Sequence, residues 1–234
     1  MKTSNKILSG YILLFLAGLI FLFSNASSVF HAKQIDTESI IRRLDLDAFS
    51  VVVVEADVLC TFVFCDTTRI EWPEPIDSVS NEVPAWVQND TLFIHSIASD
   101  RPMEYSVLCP SIQSLIAASN SRVRLRKMKG GHLSIRAVDA QIFLEHYEIC
   151  SLDSIEKTLS VTLDASQDAR VDVRIPMRSM KAQLSDQAHL MAYFGRPIDS
   201  LDLKLTKKSE AYIQETPRQI NLRRDASTSV TFRR

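Results

Sequence analysis

The sequence predicts an all-β protein whose main body is a β-solenoid, and three observations carry that prediction. A short phrase recurs between Leu115 and Ile213: Ala137-Val138-Asp139-Ala140-Gln141-Ile142, Ser166-Gln167-Asp168-Ala169-Arg170-Val171, Ser185-Asp186-Gln187-Ala188-His189-Leu190 and Lys208-Ser209-Glu210-Ala211-Tyr212-Ile213. The equivalent alanines, Ala140, Ala169, Ala188 and Ala211, recur at roughly twenty to thirty residues, a period that signals stacked repeats. Around these phrases apolar and polar residues alternate, as in Arg122-Val123-Arg124-Leu125-Arg126, Leu133-Ser134-Ile135-Arg136, Leu159-Ser160-Val161-Thr162, Val171-Asp172-Val173-Arg174 and Leu201-Asp202-Leu203-Lys204-Leu205. A period of two turns one set inward and the other outward on a strand, and helical spacing fits poorly. Finally, one coil carries too few inward aliphatics to offset the entropy of ordering it, so coils must share a core and ladder hydrogen bonds with their neighbours.

The elements follow in chain order. Lys2 and Lys6 precede an uncharged apolar run from Ile7 to Phe23, about seventeen residues, at the short end of a bilayer-spanning helix. Positive charge before the run directs the rest of the chain across the membrane. Residues 1–24 are therefore a signal anchor or a signal peptide, the second because Ser24-Asn25-Ala26 supplies small residues for cleavage. Either way the remainder is extracytoplasmic: periplasmic or at the cell surface if the anchor is retained, secreted if the leader is cleaved. Residues 25–43 form a polar spacer in which Asp36 to Arg43 offers one helical turn behind an Asp or Thr cap, too short to stand alone as a helix.

The folded domain is expected over 44–217. Val51-Val52-Val53-Val54 is a β-branched run suited to a strand covered on both faces, and Val58 to Phe64 supplies a second strand. Trp72-Pro73-Glu74-Pro75 is expected to break the pattern, because proline donates nothing to a ladder. Trp86-Val87 and Thr91 to His95 predict a hairpin turning at Gln88-Asn89-Asp90, and Tyr105 to Leu108 a further strand ended by Cys109-Pro110. Residues 218–234 are a basic tail or capping strands, Ile220, Leu222, Val230 and Phe232 suggesting one more strand pair.

Composition narrows the function. The 234 residues are 46% hydrophobic with a formal net charge of −1, which removes the global field that nucleic-acid binding uses. Five glycines, with Gly130-Gly131 the one adjacent pair, match neither a Walker nor a dinucleotide fingerprint. No cofactor is implied.

The order of a Phe-led strand (Phe49 to Val54), a strand and turn, Thr91-Leu92-Phe93-Ile94, Pro110 before Ile112 to Ile116, and coils closing with Tyr193-Phe194-Gly195-Arg196-Pro197 resembles the bacterial head GIN domain, the putative auto-transporter adhesin family. The resemblance covers about Leu44 to Ile213. Members carry Ser-Gly-Ser-Gly turns where this chain has Val138-Asp139-Ala140, Gln167-Asp168-Ala169 and Ser209-Glu210-Ala211. What the resemblance implies is a right-handed β-helix-like fold on the cell envelope, and it brings no catalytic residues.

Several groups stand out for chemistry. Cys60, Cys65, Cys109 and Cys150 are even in number and permit two disulfides or buried free thiols. Cys60 and Cys65 cannot pair, since five strand residues separate them by about 16 Å against a limit of about 7 Å. His31, His95, His132, His146 and His189 are dispersed without metal-ligand spacing. Glu71 and Glu74 flank Trp72-Pro73, an acid pair beside an aromatic that is either a sugar-cleaving arrangement or a solvated edge. Asp66-Thr67-Thr68, Asp77-Ser78-Val79, Asp90-Thr91-Leu92, Asp153-Ser154-Ile155 and Asp199-Ser200-Leu201 resemble an O-glycosylation acceptor. The sharpest surface feature is the row Arg122, Arg124 and Arg126, continued by Lys127 and Lys129, which beside Arg136 makes either a basic strip for an anionic ligand or a solvated, edge-guarding face.

Three functions follow: a membrane-tethered, non-enzymatic envelope module presenting a solenoid surface to a glycan or protein, a glycan-active lyase or hydrolase on the same scaffold, and an accessory or sensor subunit of an envelope membrane complex.

Overall fold

The computed structural model describes residues 39–75, 82–97, 103–128, 130–145 and 159–233. The apolar run 7–23 and the spacer up to residue 38 lie outside the described residues. The chain divides into two units, Met1–Ser39 with Pro75–Asp77 and Ile40–Glu74 with Ser78–Arg234; the contacts given below lie within the second.

Among the described residues there are nineteen strands and no helix. They are β1 (Ser39–Asp45), β2 (Val51–Val54), β3 (Leu59–Phe64), β4 (Arg69–Pro75), β5 (Ala85–Gln88), β6 (Thr91–Ile94), β7 (Glu104–Cys109), β8 (Ser114–Ala117), β9 (Arg122–Arg126) and β10 (His132–Val138). Then come β11 (Gln141–Glu145), β12 (Ser160–Ser166), β13 (Arg170–Arg174), β14 (Ser179–Leu184), β15 (His189–Tyr193), β16 (Ser200–Leu205), β17 (Glu210–Gln214), β18 (Gln219–Arg224) and β19 (Ser229–Arg233).

These strands alternate between two sheets. Sheet A runs β1-β4-β7-β3-β9-β11-β13-β15-β17-β19 and sheet B runs β18-β16-β14-β12-β10-β8-β2-β6-β5. From β8 onward each coil places one strand in sheet B and the next in sheet A, and like strands pair in parallel. Hydrogen bonds between equivalent positions of successive coils link residues 19 apart at Ser179–Ser160 and Arg122–Gln141 and 21 apart at Phe194–Glu215. The amino-terminal strands depart from sequence order. β2 pairs with both β6 and β8, and β3 with both β7 and β9. The chain therefore lays down the β2–β3 coil first, makes the β6–β7 coil on one side of it, and crosses back to start β8 on the other. Only β4–β7 and β5–β6 are antiparallel among the registers described. In the second, Asn89 (φ 50°) and Asp90 (φ 62°) make the turn, the doubly left-handed type that suits a two-residue hairpin.

In-register stacking produces columns of inward side chains. Val52, Leu115, Ile135, Leu163, Ala182 and Leu203 line up across sheet B; Phe62, Leu125, Leu144, Val173, Ala192 and Ile213 do so across sheet A. All twelve are buried. In the β18–β19 coil the same columns continue as Leu222 and Phe232, 37% and 38% exposed, with Ile220 at 42%.

One corner of the coil is a ladder of small residues. Ser121, Ala140, Ala169, Ala188, Ser209 and Thr228 precede the sheet A strands and are buried. The turns leading into the first five of these corner residues use positive φ, at Asn120, at Asp139, at Gln167 and Asp168, at Asp186 and Gln187, and at Lys207 and Lys208. The turn closes with the corner N–H donating to the carbonyl three residues back, as in Ala169 to Ser166 (3.3 Å) and Ala188 to Ser185 (3.1 Å). The corner carbonyl accepts from the next coil, as in His189 N–H to Ala169 O (2.8 Å). Where the corner residue is Ser or Thr its hydroxyl finds a carbonyl: Ser209 Oγ donates to Leu184 O of the preceding coil at 3.1 Å and Thr228 Oγ1 to Asp225 O of its own turn at 2.9 Å. Burial of a hydroxyl is thereby compensated.

Three expectations change. The fourth phrase slips by two residues: Glu210 pairs with His189, so Ser209, not Ala211, matches Ala188, and Ala211 is an inward strand residue in register with Leu190. The stretch expected to make a helical turn before Arg43 is strand from Ser39, consistent with β-branched Ile40-Ile41. Pro73 and Pro75 do not break β4; the register with β7 covers only Arg69 to Glu71, so the prolines lie where no donation to β7 is needed.

Two outcomes follow for stability. Leu203→Ala, in the sealed part of the sheet B column, is expected to cost about 2–5 kcal/mol in urea unfolding, and Leu222→Ala, one coil further on and partly exposed, less than half as much. Asp225 accepts from Ser227 Oγ (2.6 Å), Ser227 N–H (2.9 Å) and Lys207 N–H of the preceding coil (2.8 Å). The Ser227 hydroxyl, then the Lys207 amide, hold its carboxyl below the usual range. A lowered native pKa stabilises above the ordinary carboxylate value, about 3.9, and that contribution fades as pH falls through the lowered value. Melting curves of Asp225→Asn are therefore expected to lie below the unaltered protein at neutral pH and to converge with it in acid.

Candidate functional site

The outward positions of sheet A form three parallel columns. Arg122, Gln141, Arg170, His189, Glu210 and Ser229 make the first; Arg124, Phe143, Asp172, Met191, Tyr212 and Thr231 the second. Arg126, Glu145 and Arg174 begin the third, and Tyr193, Gln214 and Arg233 continue it. A groove of about 620 Å³ runs over this face, its walls including Phe143, Met191, Tyr193 and Tyr212 beside Arg170, Asp172 and His189. Met191 is 43% exposed.

The aromatic rings are fixed in place by charge. Arg174 forks onto Asp172, with Nη2 at 2.7 Å from Oδ2 and Nε at 3.1 Å from each oxygen. That carboxylate is what raises the Arg174 pKa above its ordinary value. So held, the Arg174 guanidinium lies 5.7 Å from the Tyr193 ring centroid, within cation–π range. Tyr193 and Tyr212 approach at 5.9 Å with planes tilted 43°, within the centroid range in which aromatic pairs attract. The Tyr212 hydroxyl beside Arg233 raises the arginine's pKa. Arg124 lies 5.9 Å from the Phe143 centroid. The result is a face of partly open rings between fixed cations, suited to stacking and hydrogen bonding.

The basic residues singled out from sequence divide between the sheets. Arg122, Arg124 and Arg126 alternate along the outer face of β9 in sheet A, beside the aromatic strip. Arg136 lies on β10 in sheet B, in register with Ile116 and Asp164, and is not brought together with them. Arg124 pairs with Glu104 at 3.5 Å and Arg126 with Glu145 at 3.6 Å, while Arg122 Nε donates to neutral Gln141 Oε1 at 3.1 Å. Lys129 lies outside the described residues. Phe143, Met191, Tyr193 and Tyr212 escaped the sequence reading; the signal for them was an apolar residue at an outward position of the period-two pattern.

Glu71 and Glu74 do not converge. Three residues apart on β4, they occupy opposite faces; Glu74 is buried against Arg42, and Glu71 pairs with Arg69 at 2.9 Å and Arg43 at 3.2 Å. His95 packs on Trp86, whose ring stacks on Phe93 at 5.2 Å, and His189 Nδ1 is 3.4 Å from Glu210. His31, His146, Cys150 and the tripeptides at Asp77 and Asp153 lie outside the described residues. Cys60, Cys65 and Cys109 are free thiols. Burial, then Glu104, pushes the Cys60 thiol up, and burial, then Cys65, pushes Cys109 up to about 12.

Among solved structures the chain is similar to a putative adhesin from Bacteroides fragilis, with a TM-score of 0.60 at 11% identity over 85% of this chain and 98% of that one. Putative adhesins from Parabacteroides merdae (TM-score 0.49, 10% identity) and Parabacteroides distasonis (0.47, 8%) align over the same shares, 85% and 98%. The Bacteroides fragilis likeness shows a shared fold. No protein-family model matches the chain, and no curated protein matches it in sequence.

Only a thiolate reacts with alkylating reagents, so burial and a raised pKa protect a cysteine. Brief iodoacetamide treatment of the native protein followed by peptide mapping is expected to modify Cys65, which is partly exposed, and to leave Cys60 and Cys109 unmodified until denaturant is added.

Proposed function

We propose that this chain is a non-enzymatic cell-envelope module of the head GIN type, tethered through residues 7–23, which binds a glycan on the outer face of sheet A. The observation that carries the reading is the strip Phe143, Met191, Tyr193 and Tyr212, partly open yet held by Arg124, Arg174 and Arg233. Sugar rings present C–H faces that stack on aromatic rings and hydroxyls that bond fixed charged groups, and this face offers both. Strand spacing of about 4.8 Å is close to the width of a pyranose ring, so an extended glycan along the coil axis meets one strand per sugar.

The leader supplies export, and the fold shared with the Bacteroides fragilis putative adhesin supports a surface role. Coils wound right-handed are part of the same reading; strand-to-parallel-strand connections take that hand in about 98% of cases.

The test is a glycan array with the full chain in detergent, using the unaltered protein and Tyr212→Ala. Saturable binding without release of product is expected, weakened about tenfold by the substitution, equivalent to ~1.4 kcal/mol, at unchanged melting temperature. Binding indifferent to Tyr212, or shortened glycans in the supernatant, overturns the reading.

A further inference from the structure

We infer that the glycan is a polyuronate, its carboxylates taken by Arg122 and Arg170; this rests on the reading of sheet A as the glycan face. Charge on that face is mostly spoken for. Arg124, Arg126 and Arg174 are paired with Glu104, Glu145 and Asp172. Two that face no acid lie two strands apart in the first column. Arg122 bonds only a neutral amide, that of Gln141, and Arg170 makes no ion pair or side-chain hydrogen bond among the described residues. Both are exposed.

Gln141 separates the two arginines across adjacent strands, in register with each. Two strand steps set them about 10 Å apart, at about 4.8 Å per step. An extended pyranose chain advances about one strand step per ring, so acid groups two sugars apart reach both guanidiniums while the rings between them lie over Phe143 in the next column. A planar guanidinium matches a planar carboxylate through two parallel N–H bonds, and the intervening Gln141 amide both donates and accepts toward ring hydroxyls. A neutral glycan would leave the two cations unused.

The experiment measures binding of the full chain in detergent to polygalacturonate, alginate and hyaluronate, to methyl-esterified polygalacturonate and to dextran sulfate. At least one polyuronate is expected to bind at least tenfold more tightly than the ester. Raising salt is expected to weaken that preference, as screened charge requires. Arg122→Gln with Arg170→Gln is expected to bring acid and ester to equal affinity. Equal binding of acid and ester by the unaltered protein overturns the polyuronate and leaves the glycan face standing. Dextran sulfate bound as tightly as the best polyuronate also overturns it, because unspecific attraction of polyanions then suffices. No binding of any glycan, with Tyr212→Ala equally silent, removes the glycan face itself.

Discussion

In-register pairing of each coil with the next is the constraint on which the rest depends. A single coil has two short strands and a handful of inward aliphatics, too little to hold itself in order. Stacking solves this only if equivalent residues coincide, because a slip of one residue turns the inward set outward. The register meets that demand from Val52 to Leu222 in one sheet and from Phe62 to Phe232 in the other. Column neighbours differ in size, Leu163 above Ala182 above Leu203, so the shared interior tolerates variation in volume as long as side-chain direction is kept.

The small-residue corner is where that register is enforced. Here the chain turns from one sheet to the other within a few residues, and a large side chain at Ala169 or Ala188 has no room at a fully buried site. Serine and threonine substitute for alanine because their hydroxyls find carbonyls, in the same turn for Ser121 and Thr228 and in the preceding coil for Ser209. The turns ahead of the corner use Asp, Gln, Lys and Asn at positive φ instead of glycine, at an energetic cost. Side-chain bonds offset part of it: Asp225 reaches the Lys207 amide and Lys207 reaches Asp186 at 3.0 Å. Charged turn residues thereby do for this chain what glycine does by having no Cβ.

Legibility followed the range of the interaction. Strand positions and inward residues were readable because alternation is local, and so was the Asn89-Asp90 turn. The phrase around Ala211 misled because Ala-x-apolar occurs both at a corner and on a strand, and local sequence does not distinguish them; pairing of Glu210 with His189 does. Arg136 was grouped with the β9 arginines because a period of two tells inside from outside but not which of two sheets a strand joins. Interleaving of the β2–β3 coil between its neighbours was equally hidden, since it rests on pairings such as Val51 with both Thr91 and Ser114. The aromatic strip shares that cause: Tyr193 and Tyr212 become neighbours only through the register of β15 with β17.

Packing commits the inward positions, the corner commits the small residues, and what is left to carry function is the outward columns. The two sheets use that freedom differently. From β10 to β16 the outward residues of sheet B mix opposite charges, with Arg136, Asp164, Gln183 and Lys204 in one column and Thr162, Lys181 and Asp202 in the next, a pattern that neutralises itself and favours water. On sheet A the second column carries Phe143, Met191 and Tyr212, apolar surface that costs free energy to leave wet. Arginines in turn fix its rings where none is needed for the fold. Apolar surface kept partly open and rigid on one face, while its counterpart across the coil is solvated, is what a binding face requires and a purely structural face does not.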